Sequence, residues 1–387
     1  VYDGSVNILS GVLGTNALVG TETLNVSGTG TVASKSVGAS KPLTLGTLAL
    51  ADGSNGGLAT NYTVTGGTHT ASVTAAALTL STSAVSKTYD GNLSALGSAV
   101  VNSGTLFTGD TISGGTFAFT DKNVGLGNKT VTATGVTVND GNSGSNYAVS
   151  YASNSASTIN PFVVSLSGTR VYDGSVNILA SALGTSTLIG TETLSLSGTG
   201  TVASKNVGAG KTLTLGSLTL GNGANGGVAS NYTVTGGTHT AGITAAALTL
   251  STSAVSKTYD GNLSALGTAV VNSGTLFTGD TISGGTFAFT DKNVGLSNKT
   301  VTAAGVTVSD GNGGSNYTVS YASNTASTIN PYVVNLSGTR VYDGSVNILS
   351  GVLGTNALVG TETLNVSGTG TVASKSVGAS KPLTLGT

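Results

Sequence analysis

The chain has 387 residues, including 60 Gly, 14 Lys or Arg and 15 Asp or Glu, with no Cys, Met or Trp and a net charge of −1. This composition excludes disulfide frameworks and cysteine metal sites, and the sparse, unclustered basic residues argue against nucleic-acid binding. No apolar run approaches the roughly 20 residues of a membrane-spanning helix, and histidine, present only at His69 and His239, gives little support for catalysis.

An internal repeat dominates the sequence. Residues 1–47 recur identically as 341–387, and a close copy begins at Val171, which gives a period of 170 residues. Each period holds two related halves, which we name the A and B repeats. Each half carries Tyr-Asp-Gly, then a Lys-x-Val-Gly segment and, where the half is complete, an Asn-Tyr pair. The order A-B-A-B-A indicates a modular chain.

The domain boundaries follow from the repeat and from composition. We predict a partial A repeat over 1–76 without its opening strand, B over 77–160, A over 161–246, B over 247–330, and a partial A repeat over 331–387 without its closing strands. The incomplete end repeats suggest that the natural chain is longer. The linkers are very short, and Pro161 and Pro331 stiffen two of them.

Strands are predicted in chain order by alternating apolar and Thr or Ser residues. In the first B repeat they begin near Leu78, Gly115, Lys129 and Asn146, and Gly, Asn and Asp pairs mark the turns between them. Roughly seven short strands per repeat are typical of a sandwich. We expect an all-β chain, a tandem array of small β-sandwich domains, immunoglobulin-like or alternatively β-grasp-like, that forms an elongated rod.

Three motifs carry a family resemblance. KTYDG from Lys87, GDT from Gly109 and DKNVG from Asp121, followed by Asn-Tyr, resemble the YDG repeat domain. The A repeats depart from it with VYDG and with ASKSVG or ASKNVG. The resemblance implies a tandem domain of large bacterial extracellular adhesins, haemagglutinin-like and of the two-partner-secretion type, with a cell-surface or biofilm role. It implies no catalytic residue.

The Tyr-Asp-Gly triplets are the structural anchors of the repeats. We interpret each as a tight turn in which Asp caps backbone amides, Gly takes a positive φ and Tyr packs its ring at a domain edge with its hydroxyl bonded outward. The alternative is a ligand contact by the aromatic ring. The anchors are Tyr2, Asp3, Gly4, Tyr89, Asp90, Gly91, Tyr172, Asp173, Gly174, Tyr259, Asp260, Gly261, Tyr342, Asp343 and Gly344.

Lysines and acids recur at matching positions in both repeat types. Lys35 and Glu22 stand in the first A repeat, and Lys122, Asp110 and Asp121 in the first B repeat. One interpretation is a set of surface ion pairs. The other is a Lys–Asn isopeptide bond promoted by a neighbouring carboxylic acid, which requires a buried lysine of lowered pKa.

Other polar groups offer weaker hypotheses. Asp140 and Asp310, each followed by Gly-Asn, are candidate Ca²⁺ ligands or, alternatively, turn residues. We expect no other cofactor. His69 and His239 have no second His, Cys or acid nearby in sequence and are interpreted as solvent-facing strand residues.

The leading functional hypothesis is a structural segment of a long extracellular bacterial fibre or adhesin stalk. Its partners would be adjacent repeats and neighbouring copies of the chain, with filaments formed by strand or edge pairing. The alternative is a module that binds glycans or a host surface through Tyr62, Tyr147 and Tyr151. We expect neither an enzyme, nor nucleic-acid binding, nor membrane insertion in this segment.

Overall fold

A computed structural model describes residues 1–386. Strands hold 48% of the residues, and the helical segments in this range are three-residue 3₁₀ turns at Ser10–Val12, Ala59–Asn61, Ala180–Ala182, Ala229–Asn231 and Ser350–Val352. The predicted all-β class, a tandem array of small β-sheet domains, is confirmed. None of the described helical turns has the length and apolar character needed to cross a bilayer.

The first two repeats contribute thirteen strands. In the A repeat these are β1 (Asn7–Leu9), β2 (Leu24–Ser27), β3 (Thr29–Val32), β4 (Gly38–Thr44), β5 (Ala49–Asp52) and β6 (Thr70–Val73). In the B repeat they are β7 (Ala76–Thr82), β8 (Ser86–Thr88), β9 (Ala99–Gly104), β10 (Thr111–Phe119), β11 (Gly125–Asn139), β12 (Tyr147–Tyr151) and β13 (Asn154–Asn160).

The remaining repeats follow the same plan. The second A repeat holds β14 (Phe162–Val163), β15 (Leu166–Val171), β16 (Asn177–Leu179), β17 (Leu183–Thr185), β18 (Leu194–Ser197), β19 (Thr199–Val202), β20 (Gly208–Thr214), β21 (Thr219–Asn222), β22 (Tyr232–Thr233) and β23 (Thr240–Thr244). The second B repeat holds β24 (Ala246–Thr252), β25 (Ser256–Thr258), β26 (Ala269–Gly274), β27 (Thr281–Phe289), β28 (Gly295–Ser309), β29 (Tyr317–Tyr321) and β30 (Asn324–Asn330). The last A repeat holds β31 (Leu336–Gly338), β32 (Asn347–Leu349), β33 (Leu353–Thr355), β34 (Thr369–Val372) and β35 (Leu383–Thr384).

These strands form two compact units. The first comprises Val1–Leu166, Thr185–Ser197 and Thr219–Thr238, and the second comprises Ser167–Gly184, Gly198–Leu218 and His239–Thr387. The third repeat contributes segments to both, so a compact unit does not coincide with a sequence repeat.

The first core of the first unit joins two sequence repeats. The sheet β1-β3-β4-β6 belongs to the A repeat, and the mixed sheet β12-β7-β9 belongs to the B repeat. Tyr2 and Val32 of the A repeat share one buried apolar cluster with Leu78 and Leu80 of the B repeat, each 3% exposed or less. Alternation of apolar and polar residues along β7 aims its leucines into this cluster. Both repeats therefore contribute side chains to this one core.

The second core repeats this arrangement one step along the chain. The sheet β10-β11-β13-β8 of the B repeat contributes Phe119, Val131 and Ile159, and the following A repeat contributes Val164 and Tyr232. The strand pairs β14–β22 and β18–β21 carry this second half. One B repeat thus takes part in two hydrophobic cores.

A two-stranded ribbon connects these two cores. β10 and β11 pair antiparallel along their length, and Gly115 and Gly135 interrupt them at φ values of 103° and 64°. Such backbone favours glycine. Val131 lies in the second core, whereas Val136, beyond Gly135, lies in the first. One strand therefore serves both cores, and the change of core falls at this glycine.

The second unit has the same kinds of sheet. Its sheets follow the orders β16-β19-β20-β23-β15-β17, β26-β24-β29, β25-β30-β28-β27, β31-β33 and β32-β34-β35. Val255, Phe289, Val301 and Ile329 form a buried cluster. The ribbon of β27 and β28 is also interrupted by positive-φ glycines, Gly284, Gly285 and Gly305.

Candidate functional site

Each Tyr-Asp-Gly triplet forms a turn. The Asp3 carboxylate accepts a hydrogen bond from the Ser5 amide at 2.9 Å, and Gly4 has a φ of 79°. Asp90 likewise accepts from the Asn92 amide at 3.1 Å. This Asx-type turn is favoured by the two residue types. It recurs at Asp173, Asp260 and Asp343.

The turn places the tyrosine against the next repeat. Tyr2 is 1% exposed and donates its hydroxyl hydrogen to Asp110 Oδ2 at 2.8 Å. Tyr147, next to Asn146 in that same B repeat, donates to the same oxygen at 2.7 Å. Lys35 Nζ lies 3.4 Å from Asp110 Oδ1. The Tyr2 hydroxyl bonds out of its own repeat, as predicted, because a buried hydroxyl requires a partner and finds it in the following repeat.

The carboxylate at this junction is buried and fully engaged. Asp110 is 8% exposed. Its burial opposes ionisation, but hydrogen bonds from Tyr147 and Tyr2 and the charge of Lys35 outweigh burial and lower the pKa of Asp110. Burial and the adjacent carboxylate raise the pKa of Tyr147 to about 12. The charged aspartate and the neutral tyrosines therefore stabilise one another.

The second junction uses glutamate instead of aspartate. Tyr89 donates to Glu192 Oε1 at 2.6 Å, and Tyr232 donates to Oε2 at 2.6 Å. Lys122 Nζ lies 3.7 Å from Glu192 Oε1. Burial and the glutamate raise the pKa of Tyr232 to about 12. Glu192 accepts one tyrosine hydrogen bond on each carboxylate oxygen, whereas Asp110 accepts both of its tyrosine hydrogen bonds on Oδ2.

The second unit contains the same contacts. Tyr172 and Tyr317 each donate to Asp280 Oδ2 at 2.8 Å, and Lys205 Nζ lies 3.3 Å from Oδ1. In the next junction the Tyr259 hydroxyl donates to Glu362. Residues 1–386 therefore carry four junctions with a tyrosine-carboxylate bond, two with Asp and two with Glu.

The asparagine of each Asn-Tyr pair completes the junction through the backbone. Asn146 Oδ1 accepts a hydrogen bond from the Val37 amide of the preceding repeat at 2.9 Å. Asn231 accepts from Val124 at 2.9 Å in the same way, and Asn316 does so from Val207. Asn146, Asn231 and Asn316 are each 0% exposed. Because a buried amide is costly without partners, these contacts also fix the relative position of the two repeats.

The glycine of the turn permits close approach. A Cβ on Gly4 would lie 2.9 Å from Phe107 Cβ, and one on Gly91 would lie 2.9 Å from Ile189 Cγ2. Phe107 and Ile189 both stand three residues before the junction carboxylate. The same approach recurs between Gly174 and Phe277 and between Gly261 and Val359.

We name the two faces of a junction by these residues. The Tyr-Lys surface holds the tyrosine and glycine of Tyr-Asp-Gly with the lysine and valine of Lys-x-Val-Gly, for example Tyr2, Gly4, Lys35 and Val37. The carboxylate surface of the next repeat holds the apolar residue, the acid and the Asn-Tyr pair, for example Phe107, Asp110, Asn146 and Tyr147.

The predicted lysine and acid candidates divide between two places. Lys35, Asp110 and Lys122 lie at junctions, and Glu22 accepts a hydrogen bond from Tyr62 in its own repeat. Asp121 does not reach a junction; it pairs with the buried Lys129 of its own repeat. The distances at Lys35 and Lys122 are those of ion pairs, and the isopeptide bond stays a prediction.

The candidate Ca²⁺ ligands are occupied by the backbone. Asp140 accepts hydrogen bonds from the amides of Asn142, Gly144 and Asn146 at 2.7 to 2.8 Å, and Asp310 does the same in its repeat. Residues 1–386 contain no cluster of three or more His, Cys, Asp or Glu side chains suited to a metal ion. These aspartates shape the loop that presents the Asn-Tyr pair.

The tyrosines proposed for glycan contact differ in exposure. Tyr147 is 5% exposed and is therefore withdrawn from any surface ligand, whereas Tyr151 is 41% exposed. Tyr62 is half-buried. His69 directly precedes β6, and its Nε2 is 2.8 Å from the Val64 carbonyl oxygen.

The sequence identified the Tyr-Asp-Gly anchors but not the junctions at which their tyrosines contact the next repeat. It missed the pairing of Tyr2 with Tyr147 and the roles of Phe107, Asn146 and Glu192. One signal was available: the acid, the apolar residue three positions before it and the Asn-Tyr pair recur together in both repeat types.

The comparisons agree with this repeat plan. The family model of the YDG domain matches residues 1–71, 74–158, 156–241, 244–327 and 325–387. A search of curated proteins finds no match. Because the five matches cover nearly the whole chain, the protein belongs to the YDG domain family and consists of tandem YDG repeats.

Proposed function

We propose that the chain is a structural segment of a long extracellular bacterial fibre or adhesin stalk, with a mechanical and non-catalytic role. The observation that carries this proposal is the junction, in which Tyr2 and Tyr147 share the buried Asp110 carboxylate. The same contact types recur at every step between repeats. A chain built to transmit force needs each domain tied to the next, and these contacts supply that connection.

The shared cores support the same role. Because Tyr2 and Leu78 belong to different repeats but one apolar cluster, pulling neighbouring repeats apart exposes apolar surface. Exposure costs about 25 cal/mol per Å². A flexible string of independent domains would lack this resistance.

Small-angle X-ray scattering of the 387-residue chain tests the stalk. A compact globule of this length has a radius of gyration of about 21 Å, and a rod of four to five small domains has one of about 40 Å. The stalk requires the larger value. A compact value would contradict the stalk.

The extracellular location needs a separate test. Labelling of intact source cells with an antibody to the chain supplies it.

A second candidate function is glycan binding by the B repeats. Tyr151 and Tyr321 occupy equivalent positions and are 41% and 42% exposed, and exposed aromatic rings suit sugar faces. A glycan array probed with the wild type and with Tyr151→Ala plus Tyr321→Ala tests this. Loss of a signal in the variant would favour binding over a purely structural role.

A further inference from the structure

The strands that open each complete repeat pair in parallel with the strands that close it. In the first B repeat, β7 pairs with β12, from Ala76 opposite Tyr147 to Leu80 opposite Tyr151, and β8 pairs with β13. In the second B repeat, β24 and β25 pair in the same way with β29 and β30. In the second A repeat, β14 and β15 pair in parallel with β22 and β23.

Backbone hydrogen bonds hold both ends of this pairing in the first B repeat. The Ala76 amide donates to the Asn146 carbonyl oxygen at 2.9 Å, where β7 begins. The Tyr89 amide donates to the Asn160 carbonyl oxygen at 2.8 Å, where β13 ends. The second bond places the end of the parallel pairing directly at the Tyr-Asp-Gly turn.

The corner between the two strand pairs is bridged by side chains. Asn154 donates from its side-chain amide to the Thr82 carbonyl oxygen at 3.2 Å, and the Val85 amide donates to the Ser157 hydroxyl at 3.0 Å. Ser157 is 0% exposed, so this bond is shielded from water. Both bonds recur in the second B repeat.

The parallel orientation decides how these bonds meet tension. Along the covalent chain, tension enters the first B repeat at Ala76, the amino end of β7, and leaves it at Asn160, the carboxyl end of β13. Parallel strands that are pulled from opposite ends slide along each other, so the evenly spaced bonds of the ladder are strained together. Strands that are pulled apart at one end lose their bonds one after another. Tension along the chain therefore meets the ladder in its stronger direction.

The longest ladder of the repeat lies outside this path. β10 and β11 pair antiparallel over the whole of Thr111–Phe119, but both strands stand between the opening and the closing strands in the sequence. Tension along the chain reaches them only after the parallel pairs have separated.

We propose that the parallel pairing of opening with closing strands is a mechanical clamp, the element that bears tension in each complete repeat. Resistance to forced unfolding is governed by the rate of unfolding and not by the equilibrium free energy. The clamp therefore sets the force at which a repeat opens. This inference rests on the proposed structural role and names the bonds that carry the load.

Pulling one folded repeat in two directions tests the clamp. The chain has no cysteine, so thiol-reactive handles for optical tweezers attach only to a pair of introduced cysteines in the full chain. Ala77→Cys with Ser153→Cys loads β7 and β12 from opposite ends. Ala77→Cys with Ala148→Cys peels the same strands from their amino ends, because Ala77 lies opposite Ala148. All three positions are exposed.

The two cysteine pairs enclose nearly the same segment, so they differ mainly in the direction of the force. At the same loading rate we expect the Ala77–Ser153 pair to open at a severalfold higher force than the Ala77–Ala148 pair. Equal forces, or a lower force for the lengthwise pull, would overturn the clamp.

Urea denaturation of both variants checks the fold, and we expect the midpoint of the wild type. The second B repeat supplies an independent copy of the comparison, with Ala247→Cys and Ser323→Cys against Ala247→Cys and Thr318→Cys. The result is separate from the scattering test of the stalk. An extended chain with equal opening forces would overturn the clamp alone, whereas a compact chain with a strong lengthwise force would contradict the stalk alone.

Discussion

The hydroxyl of Tyr89 donates a hydrogen bond of 2.6 Å to Glu192, 103 residues further along the chain and in the next repeat. Both side chains are withdrawn from solvent, with Tyr89 1% exposed and the Glu192 side chain 8% exposed. A hydrogen bond to a buried charge contributes more than one between neutral groups. The family's defining tyrosine is therefore an inter-repeat contact as well as a turn residue.

A double-mutant cycle on this pair measures the junction directly. Tyr89→Phe removes the donor, and Glu192→Gln removes the charge that also faces Tyr232. We expect each to lower the free energy of unfolding by about 1–3 kcal/mol. The double variant should lose less than the sum, with a coupling of about 0.5–3 kcal/mol.

Urea denaturation followed by circular dichroism supplies the four free energies. Tyr332→Phe is the matched control, because Tyr332 is 38% exposed and donates only to a backbone carbonyl. Strict additivity of Tyr89→Phe and Glu192→Gln would mean that the bond adds nothing to stability.

Gly91→Ala tests close approach at the junction. Gly91 has a φ of 78°, and a Cβ there would lie 2.9 Å from Ile189 Cγ2. We expect a loss of about 1–2 kcal/mol from the backbone and about 1–3 kcal/mol more from overpacking. The measurement is the shift in the urea midpoint.

Gly141→Ala is the control for the backbone part. Gly141 has a φ of 73°, and a Cβ at this position would have no other group within 4 Å. Gly141→Ala should therefore show only the loss that comes from the backbone conformation. Adding Ile189→Ala to Gly91→Ala should recover part of the loss that comes from overpacking. Equal losses at Gly91 and Gly141 would show that the junction tolerates the methyl group.

The junction predicts a stability plateau bounded at both ends of the pH scale. The pKa of Asp110 is lowered in the folded chain, so its contribution is present above the ordinary aspartate range and is lost as pH falls through the lowered value. The pKa of Tyr147 is raised from 10.0 to about 12. Its contribution is present below about pH 10 and is lost as pH rises toward about 12.

Thermal unfolding between about pH 2 and about pH 12 checks this plateau. In Asp110→Asn the acid decline should become shallower, because one carboxylate with a lowered pKa is gone. An unchanged acid profile in that variant would assign the decline to other carboxyls, such as Asp140, whose pKa is also lowered by three backbone hydrogen bonds despite burial.

Intact mass spectrometry tests the isopeptide hypothesis. Lys35 Nζ faces the Asp110 carboxylate at 3.4 Å, and an ion pair leaves the mass unchanged. We expect the mass of the unmodified sequence. A mass that is lower by one ammonia for each bond would instead establish a Lys–Asn crosslink. Peptide mapping would then locate the crosslink.

The strand content and the Tyr-Asp-Gly turns could be predicted because they depend on local pattern. Alternation near Leu78 and Lys129 and the Asp-Gly pairs act over a few residues. The partner of Tyr2 could not be predicted from the sequence, since Asp110 lies 108 residues away in another repeat and no spacing rule links the two residues. The change of core at Gly135 was equally hidden, because a strand with period-two alternation does not reveal that its two halves face different cores.

The division of the first two cores between consecutive repeats bears on how such a gene can grow or shrink. A recombination event that adds or removes one 170-residue period restores the same succession of half-cores, wherever in the period the crossover falls. Loss of a single half would instead place an Asp-type partner where a Glu-type partner stood, as between Asp110 and Glu192. Copy number is therefore free to vary in steps of one A-B pair without leaving an unmatched apolar face inside the array.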